Sequence, residues 1–111
     1  EYAPIALFVY KRIDHTIKTI EALKKNKLSS CSELFIFSDG FKNDSDKEFV
    51  TTVRNYIRNI SGFKNIKVIE RDQNIGLANN IIQGINSIFK NYESIIVFNN
   101  ELLCHCCLFR T

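Results

Sequence analysis

The chain has 111 residues, 45% of them hydrophobic, with nine Phe and four Tyr but no Trp or Met, which fits one domain with a real core and excludes a disordered chain. Its formal net charge is only +3, and the lysines are scattered along helix faces, as in EALKKNK (21–27), so no basic stripe tracks a nucleic-acid backbone. No apolar run approaches the roughly 18 residues of a membrane span, and no secretory leader is visible.

PIALFVY (4–10) is a nearly continuous apolar run and predicts a buried strand. DHTIKTIEALKKNKL (14–28) spaces Ile17, Ile20 and Leu23 on one helix face, with Asp14 placed to cap it. ELFIFSDG (33–40) predicts a second buried strand that ends at Ser38-Asp39-Gly40. SDKE (45–48) is a capping-box pattern, in which Ser45 and Glu48 satisfy each other's orphan amides. Phe49, Val53, Tyr56, Ile57 and Ile60 follow as one amphipathic stripe, with Gly62 as its stop. NIKVIE (65–70) is shorter and less apolar, as an edge strand is. A third helix carries Leu77, Ala78, Ile81, Ile82, Ile85 and Ile88 on one broad side, and SIIVF (94–98) predicts a fourth buried strand.

Strands alternating with helices require crossover connections, so the expected fold is a Rossmann-like α/β domain: a parallel four-stranded sheet with helices on both faces. In such sheets a ligand binds beyond the carboxyl ends of the strands. Those ends read Tyr10-Lys11-Arg12, Ser38-Asp39-Gly40, Arg71-Asp72-Gln73-Asn74 and Asn99-Asn100-Glu101. All four are polar and converge on one rim.

FVYKR (8–12), FIFSDG (35–40), IERDQNIGLANNIIQGI (69–85) and IIVFNNELL (95–103), in that order and each at a strand end, resemble the nucleotide-sugar-binding half of a family 2 glycosyltransferase. The resemblance covers residues 3 to about 103 and implies a partial GT-A fold with strand order 3-2-1-4. It implies a nucleoside diphosphate sugar as donor, most simply a UDP-sugar. Tyr10 then stacks on the base, Asp39 accepts from a base N–H, and Arg71 donates to a base carbonyl. Lys11 or Arg12 adds charge near the phosphates, and Asn74 and Asn100 complete the nucleotide site. Where the family places an acidic pair or triplet to hold Mg²⁺ or Mn²⁺, this chain has Asn99-Asn100-Glu101. Glu101 is the metal candidate, with Asn100 offering a neutral carbonyl oxygen; the lost carboxylate predicts a weakened site.

These residues also have plainer readings. Asp39-Gly40 forms an ordinary turn, Arg71 pairs with Glu70 or Asp72, and Tyr10 belongs to the core. Asn74 caps the third helix, and Gly76 allows close packing of helix on strand. The resemblance stops before CHCCLFRT (104–111), so residues 1–103 are expected to form the domain and 104–111 an atypical, disordered tail from truncation or a changed reading frame. Three of the four Cys lie in that tail; the pattern suits reduced thiols rather than a secreted disulfide framework, and near-adjacent ligands cannot easily wrap one zinc.

The expected role is donor binding for sugar transfer to a glycan or lipid-linked acceptor. The expected setting is the bacterial cytoplasm, either free or peripheral at the inner membrane surface. The acceptor half and catalytic base are expected further along, so this chain alone is expected to bind and not to turn over. The alternative is a non-catalytic binding or assembly module with a degenerate nucleotide pocket.

Overall fold

The computed structural model describes residues 2–26 and 29–99, together with the backbone of 106–110. The elements in chain order are β1 (Ile5–Val9), α1 (Ile13–Lys25), a 3₁₀ turn (Ser29–Cys31), β2 (Glu33–Ser38), α2 (Asp44–Ile57), β3 (Asn65–Glu70), α3 (Leu77–Phe89), β4 (Ser94–Asn99) and β5 (Cys106–Arg110). They form one sheet of order β3-β2-β1-β4-β5. Its first four strands are parallel in the expected order 3-2-1-4, with β3 at the edge.

The tail differs from expectation. The backbone of Cys106–Arg110 adds a strand antiparallel to β4, with Ser94 opposite Arg110 and Phe98 opposite Cys106. The reason is legible afterwards: β4 would otherwise present an unpaired edge, and Cys-Cys-Leu-Phe is an apolar run that suits a strand.

Connections through α1 and α2 step outward from β1 to β3, while α3 returns across the sheet to β4. Right-handed crossovers therefore set α3 on the opposite face from α1 and α2. The period of two along β1 divides the core accordingly. Ile5, Leu7 and Val9 join Leu34, Ile36, Ile20, Leu23, Val53 and Ile57 on the α1/α2 side. Ala6 and Phe8 join Phe37, Ile88, Ile95 and Val97 on the α3 side. There the Phe8 and Phe37 rings stack, centroids 5.1 Å apart. Helix α3 approaches them closely because Gly84 has no side chain; a Cβ there would lie 2.7 Å from Phe8 Cε1.

The helix details correct several expectations. Asp14 lies in the first turn of α1 rather than at its cap, which is Arg12. Its charge still faces the positive helix end. Thr16, Ile20 and Leu23 are the buried face of α1, and Ile17 turns outward. The cap of α2 is Asn43, whose Oδ1 accepts from the Asp46 amide and the Ser45 hydroxyl, so the Ser45–Glu48 box does not form. This helix buries Asp46, Val50, Val53 and Ile57, a stripe at spacings of four, three and four, leaving Phe49 55% exposed. In α3 the centre of the buried face is Asn80, Gly84 and Ile88, and Ile82 is 56% exposed.

Candidate functional site

A cavity of about 250 Å³ opens at the carboxyl end of the sheet. Its walls are Tyr10 from the end of β1, Asp39 and Lys42 beyond β2, Asn74 from the β3–α3 loop, and Leu77 and Asn80 from the first turn of α3. Three of the four predicted strand ends thus meet there.

Asp39 is 4% exposed, and its carboxylate holds protein. Oδ1 accepts from the amides of Gly40 (2.8 Å) and Ile75 (3.0 Å); Oδ2 accepts from the Gly76 amide (3.0 Å) and Asn74 Nδ2 (3.2 Å). An ionised carboxylate has about four lone-pair positions, and these donors take them all. The expectation that Asp39 accepts from a base N–H therefore meets an occupied acceptor.

Asn74 also donates to the Gly40 carbonyl at 2.8 Å, so it ties two loops together instead of capping α3. The loops touch at backbone level: a Cβ on Gly40 would lie 2.5 Å from the Gln73 carbonyl carbon. Gly76 is the N-cap of α3 with φ +85°, and a Cβ there would meet nothing within 4 Å. Its glycine is required by the left-handed backbone and not, as expected, by close packing.

Arg71 stands one step behind the wall. Its Nε donates to Asn80 Oδ1 at 3.1 Å, and its guanidinium carbon sits 5.6 Å from the Phe37 ring centroid. Asn80, 1% exposed, also donates to the Phe37 carbonyl, so Arg71 fixes a residue that lines the cavity. Among the described residues Arg71 forms no ion pair with Asp39, Glu70 or Asp72. Glu70 instead accepts from Arg58 Nη2 at 2.6 Å and Nε at 2.7 Å, which holds its carboxyl below the usual range.

Tyr10 is half-buried and fixed at its hydroxyl, which donates to Asp46 Oδ2 at 2.8 Å and accepts from the Lys42 amide at 2.7 Å. Burial pushes its pKa up, with the neighbouring Asp46 carboxylate adding to the rise. Asp46 is pulled down by the Tyr10 hydroxyl and then by Lys11, whose ammonium lies 3.1 Å from Oδ1. Lys11 is thus held at the first turn of α2. Exposed Arg12 begins α1, its carbonyl accepting from the Thr16 amide and hydroxyl.

Arg54 was not anticipated. From α2 it donates through Nε to Ser38 Oγ, and through one terminal nitrogen to the carbonyls of Ser38, Asp39 and Arg71, all within 3.2 Å. One guanidinium therefore joins the carboxyl ends of β2 and β3. The available signal was a cation on the buried stripe, four residues after Val50 and three before Ile57. Asn80 had a similar signal, an amide inside an apolar helical face.

Asn99 closes β4 and is buried opposite Phe8. Asn100 and Glu101 lie outside the described residues. Among the described residues no group of three His, Cys, Asp or Glu side chains fits a metal ion. A second cavity, about 390 Å³, lies at the opposite end of the sheet against Tyr2, Cys31, Glu33, Lys64 and Tyr92. Its position, at the amino ends of parallel strands, is not where such sheets bind ligands.

No known family's sequence pattern matches the chain, and no curated protein matches it in sequence. Among solved structures it resembles the mannosyltransferase PcManGT from Pyrobaculum calidifontis, solved in complex with GDP-Man and Mn²⁺. The TM-score is 0.53 at 10% identity, covering 90% of this chain and 28% of that one. The likeness is one of fold, a Rossmann-like α/β sheet, and no described helix is long and apolar enough to cross a membrane.

Proposed function

We propose that this chain binds the nucleotide of a sugar donor, a nucleoside diphosphate sugar, for a glycosyltransferase of the family 2 type. The carrying observation is the cavity at the carboxyl ends of β1 and β2, with a fixed aromatic wall and Lys42 at its rim. Its volume of about 250 Å³ is just below the roughly 300–1,000 Å³ of small-molecule sites, and UDP is proposed as the nucleotide on the family resemblance. The Tyr10 ring packs on the base, and Asn74, whose N–H groups are held by Asp39 and Gly40, offers its carbonyl oxygen to the base edge; Asn80, steadied by Arg71, forms the wall behind. Lys42, and Lys11 and Arg12 beside it, supply positive charge for the diphosphate. In the whole enzyme an acceptor hydroxyl of a glycan or lipid-linked sugar gives its proton to a base and attacks the anomeric carbon, whose bond to the diphosphate oxygen breaks to release the nucleoside diphosphate. The setting is the cytoplasmic face of the membrane. No catalytic residue is assigned in this chain.

Glu101 with Asn100 is the proposed Mg²⁺ or Mn²⁺ position. Mn²⁺ should strengthen UDP binding modestly, and more so in Asn100→Asp, which restores an anionic oxygen. Unchanged affinity in both proteins removes the metal from the proposal.

Calorimetric titration with UDP, GDP and ADP tests the nucleotide reading. UDP binding most tightly supports it; equal binding of all three overturns the pyrimidine assignment. The alternative, a non-catalytic assembly module, is favoured by the amides Asn99 and Asn100 where the resemblance expects carboxylates, and it predicts that none of the three binds.

A further inference from the structure

We propose that Asp39 is a positioning residue that latches the β3–α3 loop across the pocket, and that the base is read by groups other than its carboxylate. The inference deepens the nucleotide reading above and rests on it for the ligand.

The geometry is that of a finished joint. Three backbone amides and one side-chain amide surround a carboxylate that is 4% exposed, at 2.8 to 3.2 Å. Two of those amides belong to Ile75 and Gly76, more than thirty residues along the chain, and the latter begins α3. Asn74 strengthens the same joint through the Gly40 carbonyl, and Gly40 lets the two backbones meet. For a base N–H to reach Asp39, one of these donors must let go, and a buried amide then loses its acceptor. Reading a base this way sets one buried hydrogen bond against another, so the exchange yields little discrimination. The groups the latch holds in place are different: Asn74, Leu77 and Asn80 all line the cavity, and each depends on where residues 74–77 lie. An aspartate suits the task because it is acceptor-only; an asparagine would turn an N–H₂ toward N–H donors.

Hydrogen exchange followed by NMR tests the latch in the free protein. The Ile75 and Gly76 amides should be protected without nucleotide and should stay protected at saturating UDP. Asp39→Asn should speed their exchange by at least about tenfold, the loss expected for a hydrogen bond to a charged acceptor. If Asp39→Asn does not fold, Asn74→Ala removes one side of the joint and should speed the same two amides in a folded protein. For ligands, Asp39→Asn should weaken UDP, GDP and ADP by a common factor, leaving their ratios within about twofold of the parent protein.

Three outcomes overturn the proposal: exchange at Ile75 and Gly76 as fast as in exposed loops, exchange that quickens when UDP binds, or a UDP preference abolished by Asp39→Asn. Absence of binding by all three nucleotides counts against the nucleotide reading and the ligand half of the proposal. The exchange arms then decide the latch on their own.

Discussion

At the amino-terminal end of the sheet, a cavity of about 390 Å³ is walled by Tyr2, Cys31, Glu33, Lys64 and Tyr92. Its polar joint is the hydrogen bond from Tyr92 to Glu33. At the carboxyl end the cavity is smaller, about 250 Å³, yet its walls are cross-tied by Asp39, Asn74, Arg71–Asn80 and Tyr10–Asp46. Both hollows arise where strands run out into loops. Among the described residues, the carboxyl end brings β1, β2, β3, α2 and α3 together through side chains distant in sequence. Size alone would favour the amino end; the long-range polar ties are what favour the carboxyl end.

The sharpest way to break this contrast is Arg54→Ala. It leaves the Ser38, Asp39 and Arg71 carbonyls without their charged donor, and should cost about 2–4 kcal/mol of unfolding free energy in urea titration. Arg54→Lys should recover only part, because an ammonium cannot reproduce the fork. At the other end, Lys64→Ala should change stability by less than about 0.5 kcal/mol, as exposed substitutions do. Equal losses from Arg54→Ala and Lys64→Ala would erase the distinction.

Gly40→Ala comes next. Its Cβ would lie within 2.9 Å of three backbone atoms of Gln73 and Asn74, which cannot swing aside as a side chain can. Forcing the loops apart should cost about 1–3 kcal/mol, seen as a lowered melting temperature. Nucleotide binding should fall with it, because the same displacement shifts Asn74.

A smaller effect follows from acid. Asp46 and Glu70 both titrate below their ordinary range in the folded chain, held down by Tyr10 with Lys11 and by Arg58 respectively. A depressed folded value means the unfolded chain takes up the proton first. Stability from these groups is thus complete above the ordinary carboxylate range of about 4 and is lost as pH falls through the depressed values. Urea midpoints measured from pH 6 downward should drop in that window, and Tyr10→Phe should reduce the part owed to Asp46. A flat profile there would show that neither pair matters to folding.

Much of this was legible in sequence because the driving patterns are strong. Four apolar runs alternating with helical stripes specify a parallel sheet, and the four polar strand ends mark one rim. The misplaced residues have physical causes. Phe49 and Ile82 were assigned inward from hydrophobicity, but a helix has one buried stripe, and Asp46-Val50-Val53-Ile57 and Asn80-Gly84-Ile88 define it. Asp46 and Asn80 hold buried positions through hydrogen bonds and Gly84 through close approach to Phe8, so a count of apolar residues misjudges the phase by about one residue. Asp39 was legible as a polar strand end, but sequence could not say which way its carboxylate faces. That depends on amides 36 and 37 positions away. Arg54 escaped notice because an arginine on an amphipathic helix ordinarily belongs to the solvated face.

The central claim is that the carboxyl-end cavity is the nucleotide site. Assigned amide NMR spectra recorded through a UDP titration test it directly, because both ends of the sheet report at once. The account predicts saturable shifts at Tyr10, Lys42, Gly76, Leu77 and Asn80, with Cys31, Lys64 and Tyr92 unmoved. Shifts concentrated at Cys31, Lys64 and Tyr92, or no saturable shifts at either end, would contradict it.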